Sequence, residues 1–181
     1  VEGMIDGVGK YKDRDTYLGE CKRLIDSFAL LVGEIINASK YSDAELEPLL
    51  LPMQLDEVLS EQIESYRGLI EARNLELQCQ IEKKQIVSDC QLLKRVFSNI
   101  LSNAQKYTES GGNIFINASQ NNDGYTVSFE NTCKAIPEEK VAKLFEPFYT
   151  GEYSRSRKKS GTGLGLYIVR QSLQKLDIPF K

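Results

Sequence analysis

The sequence contains no histidine among its 181 residues. Histidine is the side chain that most often serves as a general base, a metal ligand or a proton carrier near neutral pH. Its absence excludes imidazole chemistry from whatever this chain does. Long apolar runs are missing too, since none approaches the roughly 18 residues that span a bilayer, and the first residues lack a signal-peptide pattern. We therefore expect a soluble chain without membrane contact.

Two further shortages narrow the class of protein. The cysteines are few and lie far apart without any CxxC pair, at Cys21, Cys79, Cys90 and Cys133. This spacing excludes the common zinc sites and a dense disulfide framework, so a reducing, cytoplasmic compartment is expected. Basic residues are not in excess, because the formal net charge is −3. Without a surplus of Lys and Arg to displace counterions, no nucleic-acid partner is expected.

The first part of the chain has the periodicity of one long amphipathic helix. Apolar residues recur at alternating spacings of three and four over residues 16–39. Residues 1–8 resemble the end of an earlier helix, so residues 1–41 predict part of a helical hairpin. One interpretation is a helix packed on its own domain. The interpretation we favour is one face of a four-helix bundle made by two chains, which predicts a homodimer.

Prolines mark the boundary of a second domain. Pro48 and Pro52 break the helical pattern, so residues 42–52 are predicted to connect the helix to a domain over residues 53–181. Helices and strands mix in this domain in the manner of an α+β, two-layer sandwich. The expected elements are helices over residues 57–72, 89–107 and 164–176, and strands over residues 75–81, 113–118 and 125–131. Cys79 alternates with apolar residues in the first strand and is expected in the core.

The run SGTGLGL at residues 160–166 is the strongest chemical signal. A glycine-dense turn that opens into an apolar helix exposes backbone N–H groups to an anion, so a phosphate site is predicted. The run differs from a Walker loop because no lysine follows its last glycine. It differs from the dinucleotide fingerprint because the residues before it are polar and basic rather than a strand.

A polar stripe on the helix predicted over residues 89–107 supplies a second signal. Asn99, Asn103 and Lys106 fall within roughly 60° of one another at about 100° per residue. Taken alone, such a stripe is typical of a solvated helix face. Beside a glycine anion turn, however, the amide oxygens suit magnesium and the lysine suits phosphate charge. Together these residues predict a magnesium nucleotide site.

Three motifs occur in the order found in one known family. FSNILSNAQKYT, LFEPFY and GTGLGLYIV resemble the N box, the F box and the second glycine box of sensor histidine kinases. The segment FYTGEYSRSRKKSGTGLGLYIV is similar to sensors of the vancomycin-resistance type. The resemblance covers essentially the whole chain. It implies a GHKL ATP-binding fold, in which helices cover one face of a mixed sheet and a mobile lid closes over ATP, preceded by a dimerisation and phosphotransfer hairpin.

The resemblance also implies roles for individual residues. It assigns Asn103 to Mg²⁺, Asn99 to the phosphate end, and Lys106 and Tyr107 to the nucleotide with its phosphates. The backbone of the glycine box is implied to approach the triphosphate, through Gly161, Thr162, Gly163, Leu164, Gly165 and Leu166. Arg155 or Arg157 is implied to neutralise phosphate charge, a surface cluster being the other use of these arginines.

The sequence departs from the family at FENTCKAIP. The family has an aspartate that accepts the adenine amino proton, followed by two glycines, and the corresponding residues here are Asn131, Cys133 and Ala135. Asn131 keeps a carbonyl acceptor, so we expect it to recognise adenine through an uncharged hydrogen bond that is weaker than that of an aspartate. Unlike aspartate, its side-chain amide can also donate. Fewer glycines mean less access to positive φ, which predicts a stiffer lid or a hinge elsewhere and a lower nucleotide affinity. A degenerate site on a retained fold is the alternative.

These features predict a protein histidine kinase core that binds Mg-ATP and positions the γ-phosphoryl group. In the family this group passes to a histidine on the hairpin and then to a response regulator. That histidine would precede Val1, so this chain alone is not expected to phosphorylate itself. By family habit, the parent protein is expected in the bacterial cell membrane.

Two alternatives belong to other classes of protein. The altered adenine motif suggests a nucleotide-independent dimeric scaffold that docks a response regulator. The fold also occurs in ATPases related to topoisomerases and mismatch-repair proteins. The F box and the hairpin disfavour such an ATPase, and residues 95–98 offer no acid to activate water.

Overall fold

The computed structural model describes residues 14–42, 47–122, 124–150 and 162–181. The chain separates into two compact units, Val1–Lys40 and Tyr41–Lys181. Helix α1, Arg14–Ser42, confirms the long helix predicted for the first part. The piece expected over residues 1–8 lies outside the described residues. Within the described ranges, no helix has both the length and the apolar character needed to cross a membrane.

The second unit contains the remaining helices and strands. They are β1 (Leu51–Gln54), α2 (Leu55–Glu71), β2 (Glu76–Ile81), β3 (Gln85–Ser88), α3 (Cys90–Tyr107), β4 (Asn113–Asn121), β5 (Gly124–Asn131), α4 (Glu138–Val141) and α5 (Gly165–Lys175). All six elements predicted for this part are confirmed, with shifts at their ends. Strands β1 and β3 and helix α4 were not predicted. Each is only four residues long, which is too short for a clear periodicity.

The strands form two sheets. Strand β2 pairs parallel with β4, and β4 pairs antiparallel with β5, in the order β2-β4-β5. Strand β1 pairs antiparallel with β3 in a separate two-stranded sheet. A mixed sheet with helices is the architecture expected for this unit, and the α+β fold class is therefore confirmed.

The hydrophobic core lies between the three-stranded sheet and helices α2, α3 and α5. Leu59 of α2, Leu101 of α3 and Ile116 of β4 are almost fully buried in it. Burial of one such side chain contributes about 1.5–3 kcal/mol. Cys79 is an exception to the prediction, because it is exposed. It lies on β2, which has only one neighbouring strand in this sheet, so the edge leaves the thiol open to solvent.

Asp89 fixes the start of helix α3 and links it to the segment before β1. One of its carboxylate oxygens accepts the N–H groups of Gln91 at 2.8 Å and Leu92 at 3.0 Å. The other accepts the N–H of Leu49 at 2.9 Å. An acceptor at this position satisfies N–H groups that the first helical turn leaves unpaired. The placement of α3, which carries the polar stripe, therefore depends on this carboxylate.

We expect Asp89→Ala to lower the free energy of unfolding by about 1–2 kcal/mol, because the helix loses its N-cap acceptor. Urea unfolding followed by circular dichroism measures the change. Asp89→Asn is the matched control, since asparagine is an equally good N-cap residue and should retain most of the stability. Equal stability of Asp89→Ala and the unsubstituted chain would contradict this account of the α3 start.

Candidate functional site

The polar stripe of α3 faces the beginning of helix α5. A Cβ atom built on Gly165, the first residue of α5, would lie 3.1 Å from Asn99 Oδ1. It would lie 3.9 Å from both amide atoms of Asn103. The structure thus brings Asn99, Asn103 and the glycine run together. It also explains the glycine, because any side chain at this position would press against the Asn99 amide.

Asn99 is held in one orientation by its own helix. Its Nδ2 donates to the backbone oxygen of Arg95 at 2.9 Å. This bond turns Oδ1 of Asn99 towards α5, and the side chain is half-buried. Asn99 therefore presents a fixed acceptor at the side of the α5 N-terminus, where it can orient a donor or water but carries no charge.

The N-terminus of α5 offers backbone donors. Leu164 occupies the N-cap, is buried and has no side-chain acceptor. Its N–H donates to Thr162 Oγ1 at 3.3 Å, and the first intrahelical bond runs from the Ile168 N–H to the Leu164 oxygen at 2.9 Å. The N–H groups of Gly165 and Leu166 belong to the first turn, which has no intrahelical acceptors. Together with the positive end of the helix dipole, they form a favourable place for phosphate.

The glycine run is fastened to the F box by a close backbone contact, which we call the clasp. It consists of Phe148 and Tyr149 on one side and Gly163 on the other. The Phe148 N–H donates to the Gly163 oxygen at 3.1 Å. A Cβ on Gly163, whose φ is +74°, would lie 2.6 Å from the Phe148 carbonyl carbon and 2.8 Å from the Tyr149 oxygen. Only glycine fits the clasp.

The sequence-based prediction missed the part that Phe148 plays. The motif LFEPFY was recognised, but no role was assigned to its second phenylalanine. Phe148 has a φ of +63°, a conformation that costs a non-glycine residue about 1–2 kcal/mol. Because phenylalanine has no preference for this conformation, nothing in the sequence marks the strain. It is imposed by the contact with Gly163.

The other predicted residues lie around this centre or outside the described part. Lys106 is exposed on the last turn of α3. Tyr107 follows it, and partial burial raises the pKa of its hydroxyl, which therefore stays protonated as a donor at neutral pH. Asn131 is half-buried at the end of β5. Arg155, Arg157 and Gly161 lie outside the described residues.

The lost glycines of the adenine motif cause no backbone strain here. Apart from glycine, the described residues with positive φ are Asn74, Phe148 and Asp177. Cys133 and Ala135 are not among them, so their backbones adopt conformations open to any residue. The described conformation therefore does not need positive φ at these two positions, and the loss of the glycines does not strain it.

The amide oxygens of this site suit a magnesium ion bound mainly by phosphate and water. In the part of the chain that the structure describes, no cluster of three or more His, Cys, Asp or Glu side chains could hold a metal ion. Mg²⁺ prefers oxygen ligands and keeps several waters, so it needs only one or two protein ligands when a nucleotide supplies phosphate oxygens. Asn103 can supply such a ligand through its amide oxygen.

Comparisons with known proteins identify the fold and its relatives. The family described as histidine kinase-, DNA gyrase B-, and HSP90-like ATPase matches residues 88–179. Sensor protein VanSB of Enterococcus faecalis is 32% identical over 181 residues, which cover 99% of this chain and 40% of VanSB. The chain thus spans well under half the length of this relative. The resemblance to sensor histidine kinases noted in the sequence is confirmed.

Solved structures agree with this assignment. A mycobacterial sensor histidine kinase, MprB, has a TM-score of 0.62 and 25% identity, covering 71% of this chain and 81% of the MprB chain. The histidine kinase ThkA, in complex with the response regulator protein TrrA, has a TM-score of 0.64 and 23% identity, covering 81% of this chain and 43% of that one. The expected GHKL fold is confirmed.

We expect Gly163→Ala to destabilise the domain more than a glycine substitution that is strained by φ alone. Gly111 is the matched control, because its φ is also +74° but a Cβ there meets nothing within 4 Å. Gly111→Ala should lower the free energy of unfolding by about 1–2 kcal/mol from the left-handed conformation. Gly163→Ala should lower it by about 1–3 kcal/mol more, since the methyl group overlaps the Phe148 backbone.

Urea unfolding of the two alanine variants measures this difference directly. Equal losses at Gly111 and Gly163 would mean that the clasp is open in solution, and the proposed contact would be wrong.

Proposed function

The chain belongs to the histidine kinase-, DNA gyrase B- and HSP90-like ATPase family, and from this premise we propose that it is the Mg-ATP-binding core of a two-component sensor histidine kinase. The observation that carries the proposal is the meeting of the Asn99 and Asn103 amides with the N-terminus of α5. Fixed donors and acceptors converge there on a space bounded by glycine. Such an arrangement suits a triphosphate better than a bulky or uncharged ligand.

We propose that the backbone donors of α5 bind the phosphate oxygens. Gly165 has no side chain to shield its N–H, and the Leu166 N–H follows it in the same turn. Asn99 orients this end through its fixed acceptor, and Lys106 on the adjacent turn of α3 supplies positive charge. These residues bind and position the nucleotide, and none of them forms a covalent bond with it.

Asn103 would hold the magnesium ion through its amide oxygen. When bound, Mg²⁺ would neutralise charge on the phosphate oxygens during phosphoryl transfer. The protein's own contribution is positioning, because phosphoryl transfer gains most from alignment of the attacking atom with the transferred group. Asn131 at the end of β5 is proposed to contact the base.

We propose that the γ-phosphoryl group leaves this domain for a histidine that this sequence does not contain. The chain alone should then bind nucleotide without acquiring phosphate on histidine. A response regulator is the proposed final acceptor, in analogy with ThkA, which was solved in complex with the response regulator protein TrrA.

The division of labour along the chain is also a proposal. Residues 1–41 would belong to a hairpin that dimerises, residues 42–52 would connect, and residues 53–181 would bind ATP. Exposed apolar side chains on α1, among them Leu24, Ile25 and Phe28, fit a helix that packs against another copy. The parent protein is proposed to reside in the bacterial cell membrane, with this part on the cytoplasmic side.

Calorimetric titration with a nonhydrolysable ATP analogue tests the proposed site. We expect binding in the presence of Mg²⁺. The affinity of Asn103→Ala should be about tenfold weaker, because losing one metal ligand that contributes about 1.4 kcal/mol of binding free energy changes the dissociation constant tenfold. Omitting Mg²⁺ should weaken binding of the analogue to the unsubstituted chain. The affinities of the unsubstituted chain and of Asn103→Ala should then differ less.

Asn117→Ala is the control variant, since Asn117 is exposed on β4 and away from the polar stripe. Its affinity should equal that of the unsubstituted chain. An absence of heat and of thermal stabilisation at high ligand concentration would contradict the proposal. The nucleotide-independent scaffold would then take its place.

A further inference from the structure

Asn131 faces the helix-covered side of the sheet. Tyr125, Val127 and Phe129 of β5 pack against the core. Phe129 also meets Phe97 of α3, with ring centroids 6.0 Å apart. Side chains on one face of a strand recur at every second residue. Asn131 therefore continues the row that lies under α3, at the point where the strand ends.

The chain connections place the end of β5 beside the last turns of α3. Asn131 pairs with Ile114, near the start of the strand that follows α3. The N–H of Glu109, just after α3, donates to the backbone oxygen of Thr132 at 3.2 Å. Asn103 lies one turn before the end of this same helix. Asn131 thus lies on the same side of the sheet as α3, near the end of the helix that carries Asn103.

The Asn131 carboxamide is available for a ligand. It is half-buried, and among the described residues no hydrogen bond engages it. The neighbouring Thr132 differs, because its hydroxyl accepts the Asn113 N–H at 3.1 Å. Because the side chain is partly exposed, its donor and acceptor are open to a group from outside the chain.

An amide at this position recognises a purine differently from the aspartate that the family pattern has. A carboxylate only accepts, so it favours the 6-amino group of adenine and repels a 6-oxo oxygen. The amide oxygen can accept from the 6-amino group while its NH₂ donates to the unprotonated ring N1. Rotated by half a turn, the same amide donates to a 6-oxo oxygen and accepts from the N1–H of hypoxanthine or guanine. Each orientation forms two hydrogen bonds.

We infer that Asn131 lets this site bind 6-oxopurine nucleotides as well as adenine nucleotides. The inference rests on the proposed function, since it concerns the base end of the same nucleotide site. It makes Asn131 a specificity-determining residue, whose change from carboxylate to amide removes the charge that would exclude a 6-oxo group.

The probes are the β,γ-imido analogues of ATP and of inosine triphosphate, each titrated calorimetrically with Mg²⁺ into the full chain. Hypoxanthine differs from adenine only at the 6-position and in the N1 proton, so it avoids the 2-amino group of guanine. We expect dissociation constants within about tenfold of each other for the unsubstituted chain. Asn131→Asp should bind the adenine analogue at least as well and lower the relative affinity for the inosine analogue at least about tenfold.

Two control variants separate effects at the base from effects at the phosphates. Asn103→Ala should weaken both analogues in the same proportion, because it acts at the phosphate end. Asn131→Ala should bring the two affinities together while weakening both, which also tests the amide if Asn131→Asp does not fold. Thermal unfolding of each variant without ligand checks that the fold is intact.

The outcomes separate this inference from the proposed function. Binding of the adenine analogue with an inosine affinity more than about a hundredfold weaker would overturn the inference and leave the proposed function standing. The same conclusion would follow if folded Asn131→Asp left the ratio of affinities unchanged. Failure of both analogues to bind the unsubstituted chain would overturn the proposed function, and this inference with it.

Discussion

The site depends on the close packing of the N-terminus of helix α5 against helix α3. Gly165 allows it, since a Cβ there would come within 3.1 Å of the Asn99 amide oxygen. The buried residues Val169, Ser172 and Leu173 continue the same contact along α5. Ser172 is fully buried and, in the part of the chain described, its Oγ has no hydrogen-bond partner. We therefore infer that its small size, which allows close packing of α5, matters more than its hydroxyl group. The site geometry is thus an extension of core packing.

The clasp sets the direction from which the chain enters α5. Gly163 turns at positive φ immediately before the buried Leu164, and its oxygen is held by the Phe148 N–H. The hydrogen bond and the close approach at Gly163 support the strained backbone of Phe148, as surrounding contacts must where a residue adopts such a conformation. A local strain of about 1–2 kcal/mol is small beside the core that anchors both ends. The result is a helix N-terminus presented in a defined orientation to the amides of α3.

Hydrophobic periodicity predicted the helices and strands that carry long apolar faces. It did not predict very short elements, or features that depend on contacts between residues far apart in the sequence. Helix α3 could be predicted because its apolar residues recur over five turns, whereas β1 has four residues and contains Pro52. Cys79 fitted the strand alternation, but its exposure depends on which strands lie beside β2. The strain at Phe148 arises from a residue fifteen positions away along the chain. For the asparagine stripe, spacing alone favoured a solvated face, and the glycine-dense turn at residues 160–166 supplied the link to nucleotide.

In the proposed nucleotide site, the amides would favour transfer of a phosphoryl group to another protein group over its loss to water. An ATPase of this fold needs an acid that takes a proton from attacking water. Asn99 occupies the side of the α5 N-terminus with an amide, which takes no proton at neutral pH, and its nitrogen is already committed to the Arg95 backbone oxygen. Residues 95–98 on the preceding turn include no carboxylate. Under the proposed function, a nucleotide held here would keep its γ-phosphoryl group until a nucleophile from outside this sequence arrives, which is what a kinase core requires.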